Sequence, residues 1–263
     1  MEQEKQSGLS RTSWAGKPCY RLESVDSTNE YAKKIAEQGA EHGTLILAKE
    51  QTRGKGRRGR TWMSPKGDNI YMSILLRPQI EPDNASMLTL VAAMAVAEGI
   101  REVSGLKTQI KWPNDIVVQG KKVCGILTEM SAEVGKVHYV VIGIGINVHN
   151  RDFPQEISAT ATSLDLQAGT RQDQTELIEA IWKAFEGYYE SYCKTQDMSA
   201  LQEEYNRHLA NCDQAVKVLD GEHSYEGIAR GITPKGELLV EAEGETRLVS
   251  SGEVSVRGIY GYV

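Results

Sequence analysis

The sequence is short of the residues that build metal sites and disulfide scaffolds. It has four cysteines, Cys19, Cys124, Cys193 and Cys212, widely scattered, with no CxxC pair and no histidine at ligand spacing. That excludes a structural zinc site and points to a reducing compartment, the cytoplasm. Long hydrophobic runs are also missing. The most apolar stretches, Tyr139 to Ile146 and Met87 to Ala97, are too short and interrupted to span a bilayer, and the polar start "MEQEKQSGLSRTSWAGK" holds no signal-peptide core. Positive charge is not in excess. A formal net charge of -6 excludes any general attraction to nucleic acid or an anionic membrane. No GxxxxGK[ST] occurs, which excludes a P-loop.

What is present is an ordinary globular composition, 40% hydrophobic and 25% charged over 263 residues, enough for one large core or a catalytic domain with a small appendage. "VDSTNEYAKKIAEQGA" predicts a strand end feeding a helix, with Ser27 as cap, Glu30 completing a capping box and Gly39 as the stop. "TLILAKE" and "NIYMSILLRP" predict strands, and "NASMLTLVAAMAVAEGIREV" predicts a buried helix. Further β-rich segments run to Val148, followed by helices near Gln174 to Tyr192 and Ser199 to Leu209. The last fifty residues turn into short strands with Gly-rich turns, the pattern of a small β-barrel, and the boundary is set near Asn211.

Three groups carry chemistry. Arg53 to Arg60 holds five cations and three glycines in eight residues, so the acidic chain concentrates its positive charge in one loop. Glycines let a backbone approach a ligand, and converging Arg and Lys neutralise phosphate. The stretch satisfies GxGxxG, but Pro65 and Gly67 follow where a Rossmann site needs a helix. A solvated charged loop is the competing reading, and Trp62 argues against it, because a large aromatic there implies closure over a base or pocket. "KWPND", Lys111 to Asp115, reads alone as a strand ending in a turn, yet it gathers a lysine, an amide and a carboxylate. "GIGIN", Gly143 to Asn147, puts two glycines in a strand, as close backbone approach or a packing bulge would.

Together with "STN" at Ser27 to Asn29 and the Lys122 and Gly125 of "KKVCG", these motifs resemble, in order, those of biotin protein ligases, from about Tyr20 to Val148 and more loosely to the C-terminus. The resemblance implies an α+β fold: a mixed-sheet catalytic domain similar to class II aminoacyl-tRNA synthetases, spanning 20–210 after an extension of 1–19, then an SH3-like β-barrel over 211–263. It implies that ATP activates biotin to biotinyl-5′-adenylate, and that the ε-amine of one lysine on a biotin carboxyl carrier domain displaces AMP. Under it, Ser27, Thr28, Asn29 and Gln51 bind biotin's polar head, with Gly54, Gly125 and Gly143 lining the pocket. Arg57 and Arg60 face the phosphates and the biotin carboxylate, and Lys122 the biotinyl carbonyl and α-phosphate; these three are the catalytic set. Arg58, Trp62, Asp115 and Asn147 join the ATP or adenylate contacts, and Asp115 is the candidate Mg²⁺ ligand. Lys55 departs from the pattern, which usually has arginine there; it keeps the charge but not the bidentate fork.

Two alternatives stand beside this reading. Lipoate ligases share the fold, but their Arg-Arg-x-x-Gly-Gly run is absent, since "RRGRTWMS" stands there. A biotin-responsive DNA-binding regulator needs an N-terminal helix-turn-helix, and about sixteen residues precede the matched region. DNA and membrane are therefore not expected as partners, and the expected state is monomer or weak homodimer. The Arg53 to Gly67 loop is expected to be mobile when empty and ordered over the adenylate.

Overall fold

The computed structural model describes residues 4–6 (backbone), 8–219, 224–251, 255–258 and 262–263. Strands β1 (Glu4–Gln6) and β2 (Cys19–Leu22) lead into α1 (Thr28–Glu37), β3 (Thr44–Ala48) and β4 (Ile70–Leu76). Helix α2 (Leu88–Ser104) precedes β5 (Thr108–Lys111), β6 (Asp115–Val118), β7 (Lys121–Glu133) and β8 (Lys136–Ile146). These eight strands form one sheet in the order β1-β2-β3-β4-β8-β7-β6-β5. It is mixed: β2 and β3 run parallel, the other pairs antiparallel.

Strand β4 is buried along its whole length because both sheet faces are covered. Alternation divides it. Met72, Ile74 and Leu76 join the main core under α2 and α4 (Gln174–Thr195), while Leu75 packs in a second cluster with Ala32 and Ala36 of α1. Helices α2 and α4 pack closely because Gly99 has no side chain; a Cβ there would lie 2.7 Å from the backbone nitrogen of Ile181.

The capping prediction for α1 is corrected. Ser27 sits at the cap with extended backbone, but its side chain caps nothing. The amide of Thr28 donates instead to Gln51 Oε1 at 2.9 Å, so the loop supplies the partner the helix end needs. Glu30, freed from a capping role, turns to Lys33 and Lys55. The stop at Gly39 agrees: its φ is +87°, and its amide donates to Ala36 O.

After α3 (Leu164–Ala168), α4 and α5 (Gln202–His208), the chain forms β9 (Ala215–Leu219), β10 (Tyr225–Ile232), β11 (Leu238–Ala242), β12 (Glu245–Val249) and β13 (Ser255–Gly258). They make an antiparallel sheet ordered β12-β11-β10-β9-β13. This is the SH3-like module, but the expected closed barrel is corrected to an open sheet: among the described residues β12 and β13 stay at opposite edges. Closure is not needed to bury its apolar face. Val216, Val218, Ile232, Leu238 and Val240 belong to the same continuous core as α2 and α4. Trp112 fastens the join, its indole N–H donating to Gly236 O at 3.0 Å and its amide to Asn211 Oδ1 at 3.0 Å.

Candidate active site

The site is built on one row of residues running across the sheet. Register places Tyr71 opposite Gly145, Gly145 opposite Gly125, Gly125 opposite Asp115, and Asp115 opposite Lys111. Directly paired residues share a face, so two adjacent glycines form a shallow floor between a tyrosine and a charged end. The neighbouring row pairs Ser73 with Gly143 and Gly143 with Leu127. A bulge then re-aims one side chain. Ile116 pairs with Cys124 but Val117 with Lys122, leaving Val123 as the extra residue. The parity change turns Lys122 onto the glycine face, where a Cβ on Gly125 would lie 3.1 Å from its Nζ.

The cationic stretch folds as a tight hairpin over this floor. Trp62 N donates to Gly54 O at 3.0 Å and Gly56 N to Arg60 O at 2.7 Å, with Lys55 bridged to Thr61. Its tip holds two successive left-handed residues, Arg58 at φ 58° and Gly59 at φ 72°, as two-residue hairpin turns require. One arm lowers Trp62 onto the floor: a Cβ on Gly145 would lie 2.5 Å from the indole nitrogen, and one on Gly125 3.0 Å from the ring. The tip is tied down by Arg57, which donates to Asn114 Oδ1 at 2.9 Å and to Ser251 O.

Two compartments meet beneath the hairpin. The smaller, about 50 Å³, is lined by Ser27, Thr28, Asn29, Gln51, Lys55, Gly125 and Gly143 among others. Its polar groups form a closed network. Ser73 Oγ lies 2.6 Å from Asn29 Oδ1 and 2.7 Å from Thr28 Oγ1; Thr28 Oγ1 donates to Gln51 Oε1 at 3.1 Å, and Gln51 Nε2 to Ser64 Oγ at 2.9 Å. Asn29 Nδ2 donates to Glu129 Oε2 at 2.7 Å. Gly143 is what lets the asparagine lie on the sheet, since a Cβ there would come 2.1 Å from Asn29 Oδ1.

The larger compartment, about 1380 Å³, carries the charge: Arg57, Arg58, Arg60, Lys111, Lys122, Arg151, Arg171 and Arg257 line it against Asp68, Asp115, Asp152 and Glu156. Lys122 Nζ lies 2.5 Å from Asp115 Oδ1, and Tyr262 donates its hydroxyl to Asp115 Oδ2 at 2.5 Å. Lys111 Nζ sits 3.6 Å from the centre of the Tyr262 ring. Burial pushes the Lys111 ammonium down to about 8, against the opposing pull of Asp115. Burial likewise lowers Arg57 and raises Tyr262. Asn147 is buried at the edge, its Nδ2 donating to Thr162 O at 3.1 Å. Arg57, Trp62, Asn114 and Lys122 line both compartments, so they form the partition.

The structure brings all but one of the site residues implied by the resemblance to these two spaces, while Arg53, the first cation of the run, lines neither and pairs with Asp26 at 3.5 Å. Gly54 lines neither; it sits at the hairpin root, where a Cβ would strike Trp62 O at 2.3 Å. Sequence reasoning missed Ser73, Glu129, His149 and Tyr262. Lys111 and Asn114 lay inside a motif already noted. His149, whose Nδ1 lies 2.8 Å from Asp165 Oδ2, and Tyr262 carry no local signal.

Comparison with known proteins follows the same division. Residues 22–147 match the biotin/lipoate A/B protein ligase family and residues 212–257 the biotin protein ligase C-terminal domain. The bifunctional ligase/repressor BirA of Bacillus subtilis is 40% identical over 236 residues, covering 88% of this chain and 72% of the relative. The chain belongs to the biotin protein ligase family. The biotin–[acetyl-CoA-carboxylase] ligase of Paracoccus denitrificans is 31% identical over 242 residues, covering 90% of this chain and 100% of that protein. Among solved structures, the biotin protein ligase of Aquifex aeolicus in complex with biotin and ATP superposes with a TM-score of 0.81 at 32% identity, covering 91% of this chain and 98% of that one.

Proposed function

We propose that this family member joins biotin to ATP, giving biotinyl-5′-adenylate and pyrophosphate, and then passes the biotinyl group to a lysine ε-amine of a biotin carboxyl carrier domain, giving an amide, AMP and a proton. The observation that carries this reading is the partition. A compartment of neutral hydrogen-bonding groups meets a cationic one at Arg57 and Lys122, where a carboxylate held in the first would face a phosphate held in the second. Those two anions repel. Fixed donors at the junction offset that repulsion and the charge growing on pyrophosphate, and deleting such a donor typically costs 10²–10³ in rate.

Thr28, Asn29 and Gln51 are assigned to biotin's polar head, with Ser27 beside them, and Arg58, Arg60, Lys111 and Asn147 to the triphosphate. At about 50 Å³ the small compartment is far below the ~300–1,000 Å³ of ordinary ligand pockets, so Trp62 must lift from its glycines to admit biotin and settle again over the adenylate. The residues present do not make a divalent-ion site by themselves. Both Asp115 oxygens have partners, and the described residues hold no group of three metal-binding side chains. Magnesium therefore enters as the counter-ion of ATP, with Asp115 a carboxylate within the cationic compartment. It would screen phosphate charge.

The lipoate reading is disfavoured by the match of residues 212–257 to the biotin-specific C-terminal domain. No described helix is long and apolar enough to cross a membrane, and a cytoplasmic location is part of the proposal. The deciding experiment is incubation with biotin, ATP, Mg²⁺ and a carrier domain, followed by mass measurement of the carrier. One biotinyl addition per carrier is expected; an unmodified carrier with no pyrophosphate released would overturn the proposal.

A further inference from the structure

The hairpin's second cation, Lys55, is not among the residues lining the cationic compartment, although it belongs to the same charged run as Arg57 and Arg60. It faces the other way. Its Nζ lies 2.5 Å from Glu30 Oε1 on α1, and Lys33 Nζ reaches the same oxygen at 2.6 Å. Lys33 continues to Glu129 Oε1 at 2.9 Å, and the other oxygen of Glu129 accepts from Asn29 Nδ2 at 2.7 Å. Two cations and two carboxylates therefore alternate from the hairpin to the amide at the centre of the small compartment. The set is neutral only when Lys55 is in place.

We propose that Lys55 is a latch: through Glu30, Lys33 and Glu129 it holds the hairpin closed over the small compartment and ties hairpin position to the orientation of Asn29. The geometry gives it leverage. Lys55 stands opposite Thr61, one residue from Trp62, so releasing its arm releases the indole from Gly125 and Gly145. Arg57 anchors the tip, and the Lys122 ammonium lies 5.2 Å from the centre of the Trp62 ring. A lone ion pair this exposed would contribute little, but Glu30, Lys33 and Glu129 keep side-chain exposures of 34%, 27% and 29%, and a network of several charges is the case in which such pairs matter. Lysine suits the position. Its single ammonium shares a carboxylate oxygen with Lys33 and has no need of a planar fork. The lowered titration of Glu30, caused first by Lys33 and then by Lys55, agrees with the pairing.

This inference rests on the biotin-activating reading for its consequence, the retention of the adenylate, but not for the latch itself. The test uses Lys55→Met, Glu30→Gln and the conservative Lys55→Arg, which keeps the charge that pairs with Glu30. Chymotrypsin cleavage after Trp62 in the ligand-free protein reads hairpin opening. Loss of adenylate after mixing with biotin and ATP, without a carrier, reads its consequence. Lys55→Met and Glu30→Gln are each expected to be cleaved and to lose adenylate about threefold to fivefold faster, with Lys55→Arg staying near wild type. The difference should shrink in 1 M salt, where the screening length falls to about 3 Å. Unchanged cleavage in Lys55→Met and Glu30→Gln, or a Lys55→Arg variant no better than they are, would overturn the latch. If wild type forms no adenylate, the biotin-activating reading fails while the cleavage series still decides the latch.

Discussion

In the small compartment Thr28, Asn29 and Gln51 already have protein partners, whereas in the large one Arg58 and Arg60 have no ion-pair partner among the described residues and Lys111 is buried deeply enough to depress its titration. The difference follows from what each space is to hold. A neutral, satisfied network costs little to keep in place and presents a fixed set of donors and acceptors, which suits recognition of one shape. Uncompensated cations raise the energy of the empty site, and that energy is recovered when an anion arrives. The chain's net charge of -6 makes the local excess more conspicuous, because eight of the residues lining the large space are cationic and four are acidic.

The contrast would break first at the partition. Lys122→Met should slow adenylate formation, followed as pyrophosphate release, by a factor of about 10²–10³, because the lysine stands where both substrates meet. A fall of less than tenfold would remove Lys122 from the chemistry. Next in size is Gly143→Ala. Its methyl group would occupy the place of Asn29 Oδ1, and the displaced amide should cost roughly 10²-fold in biotin affinity by calorimetry. Gly187→Ala, where an added Cβ meets nothing within 4 Å, is the control and should bind biotin as wild type does.

A smaller effect separates the compartments by pH. The titration of Lys111 is depressed to about 8, so its charge is lost as pH rises through 8, and KM for ATP should climb about tenfold between pH 8 and 9.5. Lys111→Arg should flatten that rise; a profile identical to wild type would place Lys111 outside the phosphate site. The sign for stability is opposite. A lysine with a depressed folded value disfavours folding while charged, so this contribution improves between pH 8 and the ordinary lysine value.

Much of this was legible in the sequence, and the reasons are particular. Strands β3 and β4 and the buried helix α2 were legible as apolar runs of strand or helix length bounded by turn residues, because burial on both sides erases alternation, whereas α4 followed from its helical apolar spacing. The glycines of "GIGIN" were suspected of close approach, and both meet a side chain. The capping box was not legible, because Ser27 and Glu30 fit a local pattern that lost to distant partners: Gln51 took the amide and Lys55 took the carboxylate. Ser73 sits in an apolar strand with nothing nearby in the chain to betray its role. Tyr262 reaches Asp115 across 147 positions.

By itself the sequence determined the inventory: where the cations are concentrated, where glycine removes a side chain, and the order of elements. Those depend on residue type and on contacts a few positions apart. Tertiary structure decided which groups face each other. Sheet register aligned Tyr71, Gly145, Gly125, Asp115 and Lys111 in one row, and the extra residue Val123 turned Lys122 onto the same face of the sheet. Pairing between strands dozens of residues apart is chosen by burial of whole faces, and no local pattern encodes a choice made by the entire sheet.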